Sequence, residues 1–205
     1  MAKKLDTKLD TKKEKIIIAM PCTDSICPQT AQAIAGAVIG AEGKVMDAVL
    51  HISCEIASSR TWLVQQALKA GATHLLFVDS DMVFPYDVIP KLLAHKKHII
   101  GLEYNRRKFP LEGTSQPLTE RKENEIYRAR YVGTGVMLID LSIFDKEWVD
   151  PQSGKKAPWF SFGRDSHGAL ALGEDAWFCY TAQDQGYEVW VDPTIKAGHI
   201  GTFIY

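Results

Sequence analysis

No apolar run in the chain approaches membrane-spanning length, and its first residues lack the apolar core of a secretory signal. A spanning helix is therefore excluded, and a cytoplasmic protein is expected. Charge of one sign is missing too. The 24 Lys and Arg offset 25 Asp and Glu, a net charge of -1, which gives no global pull toward nucleic acid or an anionic membrane. Cysteine is scarce: Cys22, Cys27, Cys54 and Cys179 have neither the close spacing nor the second pair of a zinc site, so a reduced protein is expected rather than a disulfide scaffold. A glycine-rich phosphate loop is also absent, since no helix opens beside Gly133 and Gly135 in the required pattern. What remains is 205 residues, 46% hydrophobic and 24% charged, enough for one domain with a proper core.

The most informative stretch is Thr73–Asp81, T-H-L-L-F-V-D-S-D. Leu75, Leu76, Phe77 and Val78 form a short continuous apolar run, as in a strand buried on both faces. It ends in Asp79, Ser80 and Asp81. In open α/β sheets ligands bind outside the carboxyl ends of strands, and two carboxylates there repel each other unless a cation lies between them. Oxygen ligands favour Mg²⁺ or Mn²⁺. On this stretch alone, Asp79 and Asp81 read equally well as turn residues capping a helix opened by Pro85.

Around it, strands and helices alternate. Residues 1–14 are Lys-rich, repeat K-L-D-T, and are expected to form a disordered basic tail ahead of a single domain over 15–205. Ile16–Met20 reads as a buried strand ending at Pro21-Cys22-Thr23-Asp24. A helix follows from Pro28 to the stop signals Gly40 and Gly43, then a strand over Val45–Ile52. The next helix is capped by Ser58 or Ser59 and ends at Gly71. After the D-S-D strand come a helix from Pro85, a strand over His98–Tyr104 and another over Tyr131–Asp140. The alternation points to an α/β fold with a mostly parallel, Rossmann-like central sheet flanked by helices. Asn105–Arg130 carries Arg106, Arg107, Lys108, Arg121, Lys122, Arg128 and Arg130 and reads as a working loop or a solvated face. Gly133 and Gly135 would let backbone approach a ligand closely. Asp145–Leu172 is long and irregular, and its aromatics Trp148, Trp159, Phe160 and Phe162 either anchor it or stack on a ligand. Gly173-Glu174-Asp175 opens a last helix, which ends at Gly186; Tyr187–Val191 is a final strand, and His199 lies near the end.

Three features stand in order: Asp79-Ser80-Asp81 after a buried strand, Gly173-Glu174-Asp175 heading a helix, and Gly198-His199 after G-Y-E-V-W-V-D-P. Together they resemble a glycosyltransferase of the GT-A fold, similar to the family 2 enzymes of bacteria and phages, from about Lys15 onward. The resemblance implies a nucleotide-diphosphate-sugar transferase. Asp81 would hold Mn²⁺ or Mg²⁺, with Asp79 on the metal or the donor ribose and His199 as a further metal ligand. Thr23, Asp24 and Arg60 would lie beside the nucleotide with Ser80, and Asp175, from the Glu174-Asp175 pair, would be the general base of an inverting transfer. The donor would be a UDP- or GDP-sugar. The acceptor would be a glycan hydroxyl, or less simply a modified DNA base, and a homo-oligomer is compatible with the short chain. At a helix N-terminus the macrodipole should lower the pKa of Asp175 and keep it ionised. Two other classes stay open: a nucleotidyltransferase with a similar carboxylate site, which would not need Asp175, and a silent module that binds nucleotide-sugar without turnover.

Overall fold

The computed structural model describes residues 13–151, 153–164 and 166–201, so most of the expected tail over 1–14 lies outside the described residues. Chain order is β1 (Ile16–Cys22), α1 (Pro28–Gly40), β2 (Val45–Ile52), α2 (Ile56–Lys69), β3 (His74–Val78), β4 (Met82–Val83), α3 (Val88–Ala94), β5 (Ile99–Leu102) and β6 (Ser115–Pro117). Then come β7 (Tyr127–Val132), β8 (Val136–Asp140), β9 (Gly163–Arg164), β10 (Leu170–Leu172), α4 (Glu174–Asp184), β11 (Val189–Asp192) and β12 (Gly198–His199).

The helices start where orphan N–H groups can be met. Pro28 opens α1, where its missing N–H is no loss. α2 begins earlier than the serines suggest: the Glu55 carboxylate accepts from the N–H groups of Ala57 at 3.1 Å and Ser58 at 2.6 Å. α3 begins at Val88 rather than at Pro85, with Asp87 at its cap position. Asp79 and Asp81 precede β4 and cap no helix, which removes the turn-cap reading of the two acids.

Eight strands form one sheet in the order β2-β1-β3-β8-β5-β11-β7-β6. Pairing is parallel for β2/β1, β1/β3 and β5/β11, and antiparallel for β3/β8, β8/β5, β11/β7 and β7/β6. The sheet is therefore mixed, which corrects the expectation of a mostly parallel, Rossmann-like sheet. The cause lies in Tyr131–Asp140, read from sequence as one strand. It is broken at Gly133-Thr134-Gly135, so that β7 joins one part of the sheet and β8 runs antiparallel between β3 and β5. Tyr104 occupies the break. Its hydroxyl accepts from Gly135 N–H at 2.9 Å, and a Cβ on either glycine would lie 2.4 Å from that oxygen. The close approach that these glycines allow is to Tyr104.

β3 sits at the centre with Leu75, Leu76, Phe77 and Val78 fully buried, as its unbroken apolar run implies. On one face Leu75 and Phe77 pack with Leu63, Val64 and Ala67 of α2 and Phe178, Cys179 and Ala182 of α4. On the other, Leu76 and Val78 pack with Ile34 and Ala37 of α1 and Val88, Ile89 and Leu92 of α3. The segment between β8 and α4 is held by its aromatics. Trp148 is fully buried, donates Nε1–H to the Ile143 carbonyl at 2.9 Å, and stacks on Phe144 and Phe178. Phe160 stacks on Phe178 with centroids 4.7 Å apart. These two rings belong to the core, which settles their role in favour of anchoring.

Truncating Trp148 should therefore act on stability. Trp148→Ala is expected to lower the unfolding free energy by about 3–5 kcal/mol, the usual cost of removing a large buried aromatic, read from urea denaturation. A loss below about 1 kcal/mol would show that the loop is not anchored through this ring.

Candidate functional site

β3 delivers Asp79, Ser80 and Asp81 to the carboxyl edge of the sheet, and the backbone there is pinned from three sides. Asp79 N–H donates to the Gly135 carbonyl at 3.0 Å, Cys27 N–H to the Ser80 carbonyl at 2.8 Å, and Ile200 N–H to the Asp81 carbonyl at 2.8 Å. The last bond belongs to a small ribbon in which β12 pairs antiparallel with β4, placing His199 opposite Met82. Residues 118 positions apart thereby meet: Nε2 of His199 lies 3.2 Å from Oδ1 of Asp81. The other ring nitrogen, Nδ1, is 3.2 Å from the Asn105 carbonyl, and the ring stands edge-on to Tyr104 with centroids 5.4 Å apart. Arg107 reaches the second oxygen of Asp81, Nη1 to Oδ2 at 2.8 Å.

The charges answer to these contacts. His199 is raised above its ordinary value, first by its hydrogen bond to Asp81. Burial works to raise the Asp81 carboxyl, but the hydrogen bond and charge of His199, with Arg107, outweigh it and hold the group below the usual carboxylate range.

Asp79 has a different partner. Arg60 of α2 is 2% exposed; its Nη2 lies 2.8 Å from Asp79 Oδ1 and its Nε 3.2 Å from Glu174 Oε1. The guanidinium also rests 5.0 Å above the Phe77 ring. Burial alone would lower the Arg60 pKa, yet Asp79 and Glu174 together hold it above the ordinary value. Arg60 was expected beside the nucleotide. It borders the cavity, but both of those contacts go to carboxylates, and it clasps α2, β3 and α4 together.

A cavity of about 400 Å³ opens over these groups, bordered by Thr23, Ser80, Asp81, Arg107, Glu174 and His199. Asp79 and Arg60 border it as well, with Cys22, Ser53, Cys54 and Ile56. Asp24 does not. It is exposed and accepts from the hydroxyls of Thr23 at 3.4 Å and Ser25 at 3.2 Å. Asp175 stands apart from the cavity wall, its Oδ1 accepting from Ala176 N–H at 2.7 Å. Its carboxyl is raised above the ordinary value by burial first and by the neighbouring Glu174 second. Desolvation thus outweighs the helix end that was expected to lower it.

No group of three or more His, Cys, Asp or Glu side chains fit to hold a metal occurs among the described residues. The expected set of Asp79, Asp81 and His199 is therefore only partly assembled: Asp81 and His199 converge, and Asp79 turns to Arg60. Sequence reading missed two contributors. Arg107 was indistinguishable from its neighbours in a basic run, and Tyr104 carried no signal beyond an aromatic after a strand.

No protein-family model matches the chain, and no curated protein matches it, so the family 2 resemblance gains no support from sequence. Solved structures do match. A197 from STIV superposes with a TM-score of 0.64 at 17% identity, over 92% of this chain and 86% of that one. GalNAc-T7, crystallised with UDP, GalNAc and Mn²⁺, gives a TM-score of 0.58 at 12% identity, over 95% of this chain and 45% of that one. The fold is GT-A-like. At these identities the likeness is one of architecture, and the GT-A-like frame spans less than half of GalNAc-T7. Among the described residues no helix is long and apolar enough to cross a membrane.

The elevated Asp175 carboxyl has a consequence for stability. The native state holds that proton more tightly than the unfolded chain, so this group's contribution falls as pH rises from the unfolded pKa through the native one. Asn cannot ionise and can still accept from Ala176. Asp175→Asn should therefore melt at a higher temperature than wild type at neutral pH, with the difference closing below about pH 4, the unfolded value of an aspartate. A gain that persists unchanged in acid would mean that ionisation of Asp175 is not its source.

Proposed function

We propose that the protein is a metal-dependent glycosyltransferase that uses a nucleotide-diphosphate-sugar donor, a UDP- or GDP-sugar, and an acceptor hydroxyl such as that of a glycan. The observation that carries this reading is the convergence of Asp81 and His199 at the edge of the cavity over the end of β3. Two cis ligands of one ion at the Mg²⁺ distance stand about 3 Å apart, and the pair is separated by 3.2 Å. The placement of His199 Nδ1 against a backbone carbonyl is also how a ligating imidazole is oriented. Carboxylate and imidazole together suit Mn²⁺ better than Mg²⁺. The residues therefore fit a divalent ion, with Asp81 and His199 as its protein ligands.

When bound, such an ion supplies Lewis-acid stabilisation to the diphosphate that leaves. The chain supplies the rest. Thr23 and Ser80 offer hydroxyls to the donor at the cavity wall. Arg107, at the same wall, brings positive charge within reach of phosphate oxygens. Of the two acids at the start of α4, Glu174 is engaged with Arg60, which leaves Asp175 as the one without an ion-pair partner among the described residues. Its raised pKa moves it toward the range in which a carboxylate accepts a proton from a hydroxyl. In the GT-A-like neighbour crystallised with UDP, GalNAc and Mn²⁺ these three ligands occur together, which supports the same ligand classes here. A nucleotidyltransferase would have no use for Asp175 in this state, and a silent module would keep binding without needing it.

With two protein ligands, the ion needs donor oxygens to complete its shell. Mn²⁺ and UDP should each bind weakly alone and strengthen one another by the same factor, as linkage requires. Calorimetry should show that coupling in wild type and its loss in Asp81→Ala. Asp175→Asn should keep the coupling, while transfer falls by roughly 10²- to 10⁴-fold, the contribution of a positioned general base. Undiminished coupling in Asp81→Ala would overturn the metal assignment, and full turnover in Asp175→Asn the base assignment.

A further inference from the structure

The two edges of the main sheet are finished differently. One ends in β6, three residues long and closed by Pro117, which has no N–H to offer a further strand. The other ends in β2, eight residues long, and none of the described residues pairs with its outer side. β2 is also apolar where it meets water: Leu50 is 42% exposed and Ile52 60%. A long open strand with exposed aliphatic side chains is a template for another strand.

We propose that β2 pairs antiparallel with β2 of a second copy of the chain, across a two-fold axis at Val49, so that the eight-stranded sheets join into one. The sequence of β2 is self-complementary in that register. Asp47 falls opposite His51 of the second copy on the face that carries α2, and Leu50 falls opposite Ala48 on the face that carries α1. Both polar groups are equipped for the contact. Asp47 Oδ1 accepts from the outward Ala48 N–H at 2.7 Å, a bond that pairing exchanges for the Leu50 carbonyl of the second copy, and His51 sets Nδ1 2.8 Å from Ser59 Oγ with its ring stacked on Trp62. The other Asp47 oxygen and Nε2 of His51 are left to meet across the axis. A register slipped by one residue would place Asp47 opposite an aliphatic residue and lose this pair. Among the described residues each copy has one long open edge, and the pairing consumes it, so the assembly closes at two rather than growing into a filament. The two strands run in opposite directions, so the two cavities open at opposite ends of the joined sheet and each stays accessible.

Sedimentation velocity on the whole chain tests this. The expected particle has twice the 22.9 kDa mass of one chain at micromolar concentration. Leu50→Lys and Ile52→Lys, both at exposed positions, should each halve the mass with the circular dichroism spectrum and UDP–Mn²⁺ binding unchanged. Asp47→Lys should also give single chains, and adding His51→Glu to it should restore the pair. Single chains in wild type, or a pair that both lysine substitutions leave intact, would overturn the proposal. A pair that the charge exchange fails to restore would overturn the register centred on Val49.

Discussion

The site rests on one buried guanidinium. Arg60, Asp79 and Glu174 come from three elements that are distant in the chain, and ionic groups withdrawn from water are tolerated only when paired and hydrogen-bonded. Arg60, whose buried Nη1 has no hydrogen-bond partner among the described residues, is paired through contacts of 2.8 and 3.2 Å to its two acids. In doing so it fixes α2, β3 and α4 relative to one another. Breaking such a pair from one side costs about 3–5 kcal/mol, because the remaining charges are stranded. The clasp also divides labour between the two acids of D-S-D. Asp79 is held by the protein, and Asp81 is left to face His199, Arg107 and the cavity.

That division explains what was legible in the sequence. The apolar run Leu75–Val78 was enough to mark β3 as a strand buried on both faces, because such burial leaves a plain compositional trace; the acids after it read equally well as turn residues without the later motifs. Glu174, Asp175 and His199 are singled out through the resemblance, by their order after D-S-D, and not by residue type alone. What could not be read was pairing across space. Nothing in a linear pattern says that Asp79 pairs with Arg60, or that Arg107 rather than Arg106 reaches Asp81. The direction of β8 was hidden for a related reason: Gly133 and Gly135 announce a backbone that something approaches, without saying that the visitor is Tyr104. The cap of α2 fell to Glu55 instead of a serine because the helix starts at Ile56, where the first free N–H groups are those of Ala57 and Ser58.

The surroundings of Asp175 and His199 are tuned in a connected way. Tyr104 fills the gap between β7 and β8, supports the His199 ring by an edge contact, and takes a hydrogen bond from Gly135. Its own hydroxyl is driven far above its ordinary range by burial and then by the negative charge of Asp79. It therefore stays neutral and contributes shape and low polarity rather than charge. The same desolvation lifts Asp175. Tyr104 thus orients the imidazole by an edge contact, and burial beside Glu174 raises the Asp175 carboxyl. The position of Tyr104 follows from how the mixed sheet is broken between β7 and β8.

The central claim is that His199 and Asp81 together hold the divalent ion of the donor complex. Pulsed electron paramagnetic resonance on the protein with Mn²⁺ and UDP tests it most directly, since a ligating imidazole imprints nitrogen modulation on the manganese signal. The account predicts ¹⁴N modulation in wild type that disappears in His199→Ala, while the bound nucleotide's phosphorus coupling persists. A wild-type complex showing phosphorus coupling but no nitrogen modulation would contradict it, and would return His199 to the role of an ion-pair partner for Asp81 alone.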